Sequence, residues 1–121
     1  MKSILLVDDE KTFLSSLSEG LSILLPGNFR IITAENGQKA LGVLSSTPVS
    51  LVVTDLKMPV MDGFQLVFSM SERYADVPVV VISASIDAEE VGRLHTLGVS
   101  QYLEKPLDME NLASVIMERS S

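Results

Sequence analysis

Four short apolar runs in this chain each end in a residue that can handle phosphate or metal. Ile4-Leu5-Leu6-Val7 runs into Asp8-Asp9, and Leu51-Val52-Val53-Thr54 runs into Asp55. Val79-Val80-Val81-Ile82 runs into Ser83, and Gln101-Tyr102-Leu103-Glu104 runs into Lys105-Pro106. Three carboxylates gathered in one crevice repel each other, and a hard divalent cation relieves that repulsion. Mg²⁺ suits such a place because it favours one or two carboxylates, waters and a substrate phosphate over an all-protein cage. A carboxylate is also a competent nucleophile toward phosphorus. Phosphoryl transfer needs positioning and charge neutralisation more than covalent help, which an ammonium, a cation and a hydroxyl donor would supply.

Taken singly, each residue has a plainer role. Asp8-Asp9 can cap a helix, since Asp is favoured at that position. Ser83 can bond the backbone at a strand end, and Lys105 can stay solvated. Tyr102 can pack at a sheet edge with its hydroxyl wet. Pro106 sharpens the reading of Lys105, because an X-Pro bond in a tight turn can be cis and aim the side chain before it. The chemistry therefore depends on whether the four run ends meet.

The pattern between the runs makes them meet. Ile4–Val7 is a continuous apolar run, as expected for a strand buried on both faces. From about Lys11 to Leu25, Phe13, Leu14, Leu17, Leu21, Leu24 and Leu25 recur at helical spacing, and Pro26-Gly27 ends that helix. Phe29–Ala34 reads as a second strand. After Asn36-Gly37 a short helix carries Ala40, Leu41, Val43 and Leu44. Strand three is Leu51–Thr54, and the helix from Gly63 carries Phe64, Val67, Phe68 and Met70. Strand four is Val79–Ile82. Asp87–Leu97 reads as a helix with Val91, Leu94 and Leu97 inward. Strand five is Gln101–Leu103, and Asp108–Arg119 is a last helix with Leu112, Val115 and Ile116 inward. Strands joined by helices pair in parallel with right-handed crossovers, so helices cover both faces. The expected fold is α/β, a flavodoxin-like (βα)5 domain over residues 1–121, with strand order 2-1-3-4-5. Ligands of such sheets bind outside the carboxyl ends of the strands, where Asp8, Asp9 and Asp55 would flank the switch point.

Composition narrows the classes. The chain has 121 residues, 46% hydrophobic and 21% charged, as in a globular domain rather than a disordered one. Its formal net charge of −7 argues against a nucleic-acid or anionic-membrane surface. The lack of cysteine excludes a disulfide framework and thiolate chemistry. No apolar run approaches the ~18 residues of a membrane span. Met1-Lys2 leads straight into a short strand, too short and polar for a signal peptide, so a cytoplasmic location is expected. His95, the one histidine, falls on a polar helix face and is given no role. The six methionines read as gap fillers.

Asp8-Asp9, Asp55-Leu56-Lys57-Met58-Pro59, Asp62-Gly63, Ser83-Ala84, Tyr102 and Lys105-Pro106 together resemble the receiver domain of two-component response regulators, over the whole chain. The resemblance implies Asp55 as phosphoacceptor. It implies Mg²⁺ bound by the Asp9 and Asp55 carboxylates and the backbone carbonyl of Lys57, with Asp8 acting through water. Ser83 and Lys105 would hold phosphoryl oxygens, and Ser83 and Tyr102 would form the switch. The partners implied are a histidine kinase or histidine phosphotransfer protein upstream and an output protein or domain downstream. The module would not be a conventional enzyme. It would catalyse only its own phosphorylation and a slow autodephosphorylation. Lys57 falls where side chains of this family tune dephosphorylation, Ser83 stands where Thr is more frequent, and Val99 where a smaller residue is usual.

Three other readings fit less well. A flavodoxin-like cofactor binder needs a Gly/Ser/Thr-rich phosphate cradle after strand one, but here Asp8-Asp9-Glu10 repels phosphate. A haloacid-dehalogenase-like phosphatase places a second Asp two residues after its nucleophile, where this chain has Lys57. A pseudo-receiver would lack one of the required groups, and none is lacking. The chain stops at Arg119-Ser120-Ser121, so it is expected to be either a stand-alone receiver or a receiver cut from a longer protein.

Overall fold

The structure, a computed structural model, describes residues 1–120. Strands β1 (Lys2–Val7), β2 (Phe29–Ala34), β3 (Leu51–Asp55), β4 (Val79–Ser83) and β5 (Gln101–Glu104) alternate with helices α1 (Lys11–Leu24), α2 (Gly37–Ser46), α3 (Gly63–Arg73), α4 (Ala88–Thr96) and α5 (Met109–Arg119). The five strands form one sheet in the order β2-β1-β3-β4-β5, and every pairing is parallel. This is the order expected for five βα units. β1 and β3 lie side by side at the centre, with Val7 paired to Thr54, so their carboxyl ends finish level.

Alternation along the strands assigns the helices to faces. Ile4, Leu6, Leu51, Val53, Val80 and Ile82 point to one face, where they pack on Leu14, Leu17 and Leu21 of α1 and Leu112, Ala113 and Ile116 of α5. Leu5, Val7 and Val52 point to the other, against Ala40 and Leu44 of α2 and Leu66 and Met70 of α3. Val81 on that second face meets Phe64 and Val67 of α3 and Leu94 of α4. Both faces of β1 and β3 are thus buried, which explains why those strands are unbroken apolar runs.

The ends of the elements follow local chemistry. α1 stops at Leu24 because Leu25, next to Pro26, is extended (φ −83°, ψ 147°). Asp62 and Asp87 cap α3 and α4 with reciprocal bonds to Gln65 and Glu90. Asp108 accepts from the amides of Glu110 and Asn111.

Several expectations need correction. Asp87 and Asp108 precede their helices as caps, and α4 ends at Thr96 rather than Leu97. β3, β4 and β5 each run one residue further than expected, so Asp55, Ser83 and Glu104 are themselves strand residues. Leu24 and Phe68, which share the helical spacing of their neighbours, are exposed, and Val91, Leu97 and Val115, expected inward, are only half-buried. Leu66 instead fills the core on α3.

Candidate functional site

Asp8 follows β1 directly and is buried, with 1% of its surface exposed. One of its oxygens accepts from the Glu10 amide at 3.0 Å, and the other accepts from Lys105 Nζ at 3.1 Å. Asp9, one residue on, is exposed. Asp55 ends β3. Its Oδ1 accepts from the Leu56 amide at 2.7 Å and, weakly, from that of Lys57 at 3.5 Å. Its Oδ2 accepts from Lys105 Nζ at 3.1 Å. Oxygens of Asp8, Asp9 and Asp55 lie within 4.8 Å of one another. The sequence-predicted carboxylates and the ammonium therefore do converge.

Lys105 reaches this point because β5 delivers it to the same sheet edge, with its amide bonded to the Ser83 carbonyl at 2.8 Å. The Lys105–Pro106 peptide is cis. Burial disfavours the Lys105 ammonium, but its bonds to Asp8 and Asp55 and their charges outweigh that and lift its pKa above the ordinary lysine value. Burial dominates at Asp8. It lifts that carboxyl above its ordinary range despite the Glu10 and Lys105 bonds, and the Asp55 charge adds to the rise. Three carboxylates against one ammonium leave two negative charges uncompensated, as a divalent cation would require.

The side chains of the remaining expected residues make no bond to these carboxylates. Ser83 is buried, but its hydroxyl donates to the Ser85 carbonyl at 3.1 Å rather than to any carboxylate. Tyr102 is 38% exposed on β5. The Lys57 side chain is exposed in the loop after β3, and His95 is exposed on α4.

Two features escaped the sequence reading. The Lys105 ammonium sits over the Phe13 ring, 4.2 Å from its centroid. Helical spacing alone marks Phe13 only as one of the apolar residues of α1. Gly63, at the start of α3, lies against the end of β3. A Cβ there would collide with the Asp55 carbonyl oxygen and come within 2.7 Å of Leu56 Cα. Asp62-Gly63 stands out in the sequence as a motif, but the close approach arises only in the folded chain. The loop between them folds back through a Gly63 amide to Leu56 carbonyl bond of 2.8 Å. It also contains Val60 at φ 70°, spanned by a Met61 amide to Pro59 carbonyl bond of 2.8 Å. That is a γ-turn of the rare, strained hand.

The sequence profile of the family described as "Response regulator receiver domain" matches residues 4–117. The chain is 34% identical over 113 residues to the transcriptional regulatory protein GlrR of Escherichia coli, covering 93% of this chain and 25% of GlrR. It spans less than half the length of the curated relatives it matches. Among solved structures, the signal receiver domain of an HD domain-containing protein from Pseudomonas fluorescens superposes with a TM-score of 0.89 at 27% identity, covering 98% of this chain and 93% of that one. The BeF3-activated receiver domain of DrrB, a Thermotoga maritima protein, gives 0.84 at 26%, covering 98% and 96%. With the acidic crevice at the sheet edge and this match across nearly the whole chain, the protein belongs to the response regulator receiver domains of two-component signalling, which are signalling modules rather than conventional enzymes.

Proposed function

We propose that residues 1–121 form one receiver domain that works as a phosphorylation switch, with Asp55 as phosphoacceptor. The observation that carries this reading is the Asp55 carboxylate at the end of β3, held by Lys105 at 3.1 Å and grouped with Asp8 and Asp9. Receiver domains pair with histidine kinases, so the donor is a phosphohistidine on a kinase or phosphotransfer protein. An Asp55 oxygen forms the new P–O bond as the N–P bond breaks, and the imidazole leaves with the electron pair. Asp55 needs no general base, because its carboxylate attacks as the anion.

Asp9, exposed at the rim, Asp55 and the Lys57 carbonyl are the proposed protein ligands for Mg²⁺. Asp8, walled in and bonded through both oxygens, acts through water. When bound, Mg²⁺ supplies neutralisation of the phosphoryl oxygens that the crevice otherwise repels. Lys105 then exchanges an Asp55 oxygen for a phosphoryl oxygen. Ser83 leaves the Ser85 carbonyl to donate to another, and Tyr102 turns into the space this opens. The surface of α4, β5 and α5 changes and is read by an output partner or domain. A shift from 1:99 to 99:1 takes ~5.5 kcal/mol of differential stabilisation. Two or three new charge-assisted bonds reach that figure when each contributes near the upper end of ~1.5–3 kcal/mol. Lys57, two residues beyond Asp55, offers no carboxylate to activate water, which agrees with a slow autodephosphorylation.

The test is the amide chemical-shift response to beryllofluoride and Mg²⁺. Wild type is expected to shift at Tyr102 and along α4. Lys105→Ala is expected to remain phosphorylatable at Asp55 yet lose those distant shifts, because the charge linking phosphate to β5 is gone. The full wild-type set of shifts in Lys105→Ala would remove Lys105 from the switch.

A further inference from the structure

We infer that Phe13 is a positioning residue for Lys105, its ring face serving as the third partner of the ammonium. The inference rests on the phosphoacceptor reading of Asp55. An ammonium has three N–H donors and no acceptor. Lys105 commits two of them to Asp8 Oδ2 and Asp55 Oδ2, each at 3.1 Å. Nζ also sits over the Phe13 ring, 4.2 Å from its centroid, well inside the range at which a ring quadrupole attracts a cation. The Lys105 side chain is only 21% exposed, so water screens this contact less than it would at the surface.

The contact adds a direct link between α1 and the segment after β5, beside the core that Phe13, Leu103 and Leu107 border together. Phe13 stands on α1, three residues past the Glu10 amide that holds Asp8, whereas Lys105 leaves β5. Sequence accounts for Phe13 as one residue of the α1 stripe, yet it is only half-buried while Leu14, Leu17 and Leu21 carry that core. A ring at this rim gives the ammonium a wall that does not change when Asp55 does. If Asp55 is phosphorylated, Lys105 exchanges one carboxylate oxygen for a phosphoryl oxygen. Phe13 then keeps Nζ at the crevice instead of letting the four-carbon stem swing to solvent. An aliphatic side chain fills the space but offers no attraction to the charge.

The experiment measures the rate of Asp55 labelling by acetyl phosphate at saturating Mg²⁺ in the full chain. Phe13→Leu is expected to slow labelling by about threefold to tenfold, the loss of one partly desolvated cation–π contact. Phe13→Tyr, which keeps a ring face, is expected to restore most of the rate. In the Lys105→Ala background, Phe13→Leu is expected to add nothing, since the partner is already gone. A role in packing alone would instead slow both backgrounds equally. Should Phe13→Leu fold poorly, stepwise fluorination of the Phe13 ring preserves its shape while weakening its face. The rate is then expected to fall with each step when Lys105 is present and stay flat when it is not. Wild-type speed in Phe13→Leu and the fluorinated series, or equal slowing in both backgrounds, would overturn the inference while leaving Asp55 as acceptor. No label on wild type would instead remove the phosphoacceptor reading and this inference with it.

Discussion

At the scale of single residues, the site is a balance of charge in which neighbouring acids do different work. Asp9 is open to solvent, Asp8 is closed off, and Glu10 belongs to the turn into α1, where its amide holds Asp8. Asp9→Ala is therefore expected to weaken Mg²⁺ binding by about tenfold or more, whereas Glu10→Ala should change it little. Titration of a spectroscopic signal with Mg²⁺ checks both. Asp8 carries the cost of burial. Its pKa lies above 3.8 in the fold, so the native protein holds that proton more tightly than the unfolded chain does. The corresponding stability is fully present below 3.8 and is lost as pH rises through the raised native value. Ionised Asp8 thus weighs against the metal-free fold at neutral pH. Asp8→Asn is expected to raise the Tm of the metal-free protein at neutral pH, and the gap to wild type to close as pH falls toward 3.8. Thermal denaturation in chelator measures this. A Tm for Asp8→Asn below that of wild type would mean that pairing with Lys105 outweighs burial.

At the scale of elements, the sequence was most legible where one environment imposes one pattern. β1, β3 and β4 are buried on both faces, so their apolar runs and the chemistry at their ends could be read directly, with boundaries within two residues. Helices were less legible because α3 serves two environments. Leu66 and Met70 face α2 and the sheet, Phe64 and Val67 face α4, and Phe68 faces solvent, so a single apolar stripe does not describe it. Ser83 and Tyr102 were identified by type, but where the hydroxyl and ring point is set by rotamers that composition does not encode. Close approaches were hidden for the same reason. Gly63 reads as the end of a turn signal, yet it is the point where α3 touches the backbone of Asp55. Gly63→Ala forces a Cβ against that backbone. It is expected to cost about 1–3 kcal/mol of stability, as overpacking does, and to slow Asp55 labelling by displacing the acceptor. Urea denaturation checks the first effect, and labelling kinetics the second.

At the scale of the whole molecule, five parallel strands bring segments almost a hundred residues apart to one edge, as the Asp8–Lys105 bond shows. The topology was legible because alternating strand and helix patterns leave few ways to cover both faces of a sheet. The contact between Phe13 and Lys105 was not, because it depends on how α1 sits over the end of β5. Among the described residues no helix is long and apolar enough to cross a membrane. The whole arrangement converges on one atom group, the Asp55 carboxylate. The most direct measurement is intact-mass analysis after incubation with acetyl phosphate and Mg²⁺, comparing wild type with Asp55→Asn. Wild type is expected to gain one acid-labile phosphoryl group that is absent when Mg²⁺ is chelated, and Asp55→Asn to gain none. Equal acid-labile labelling of Asp55→Asn would contradict the account.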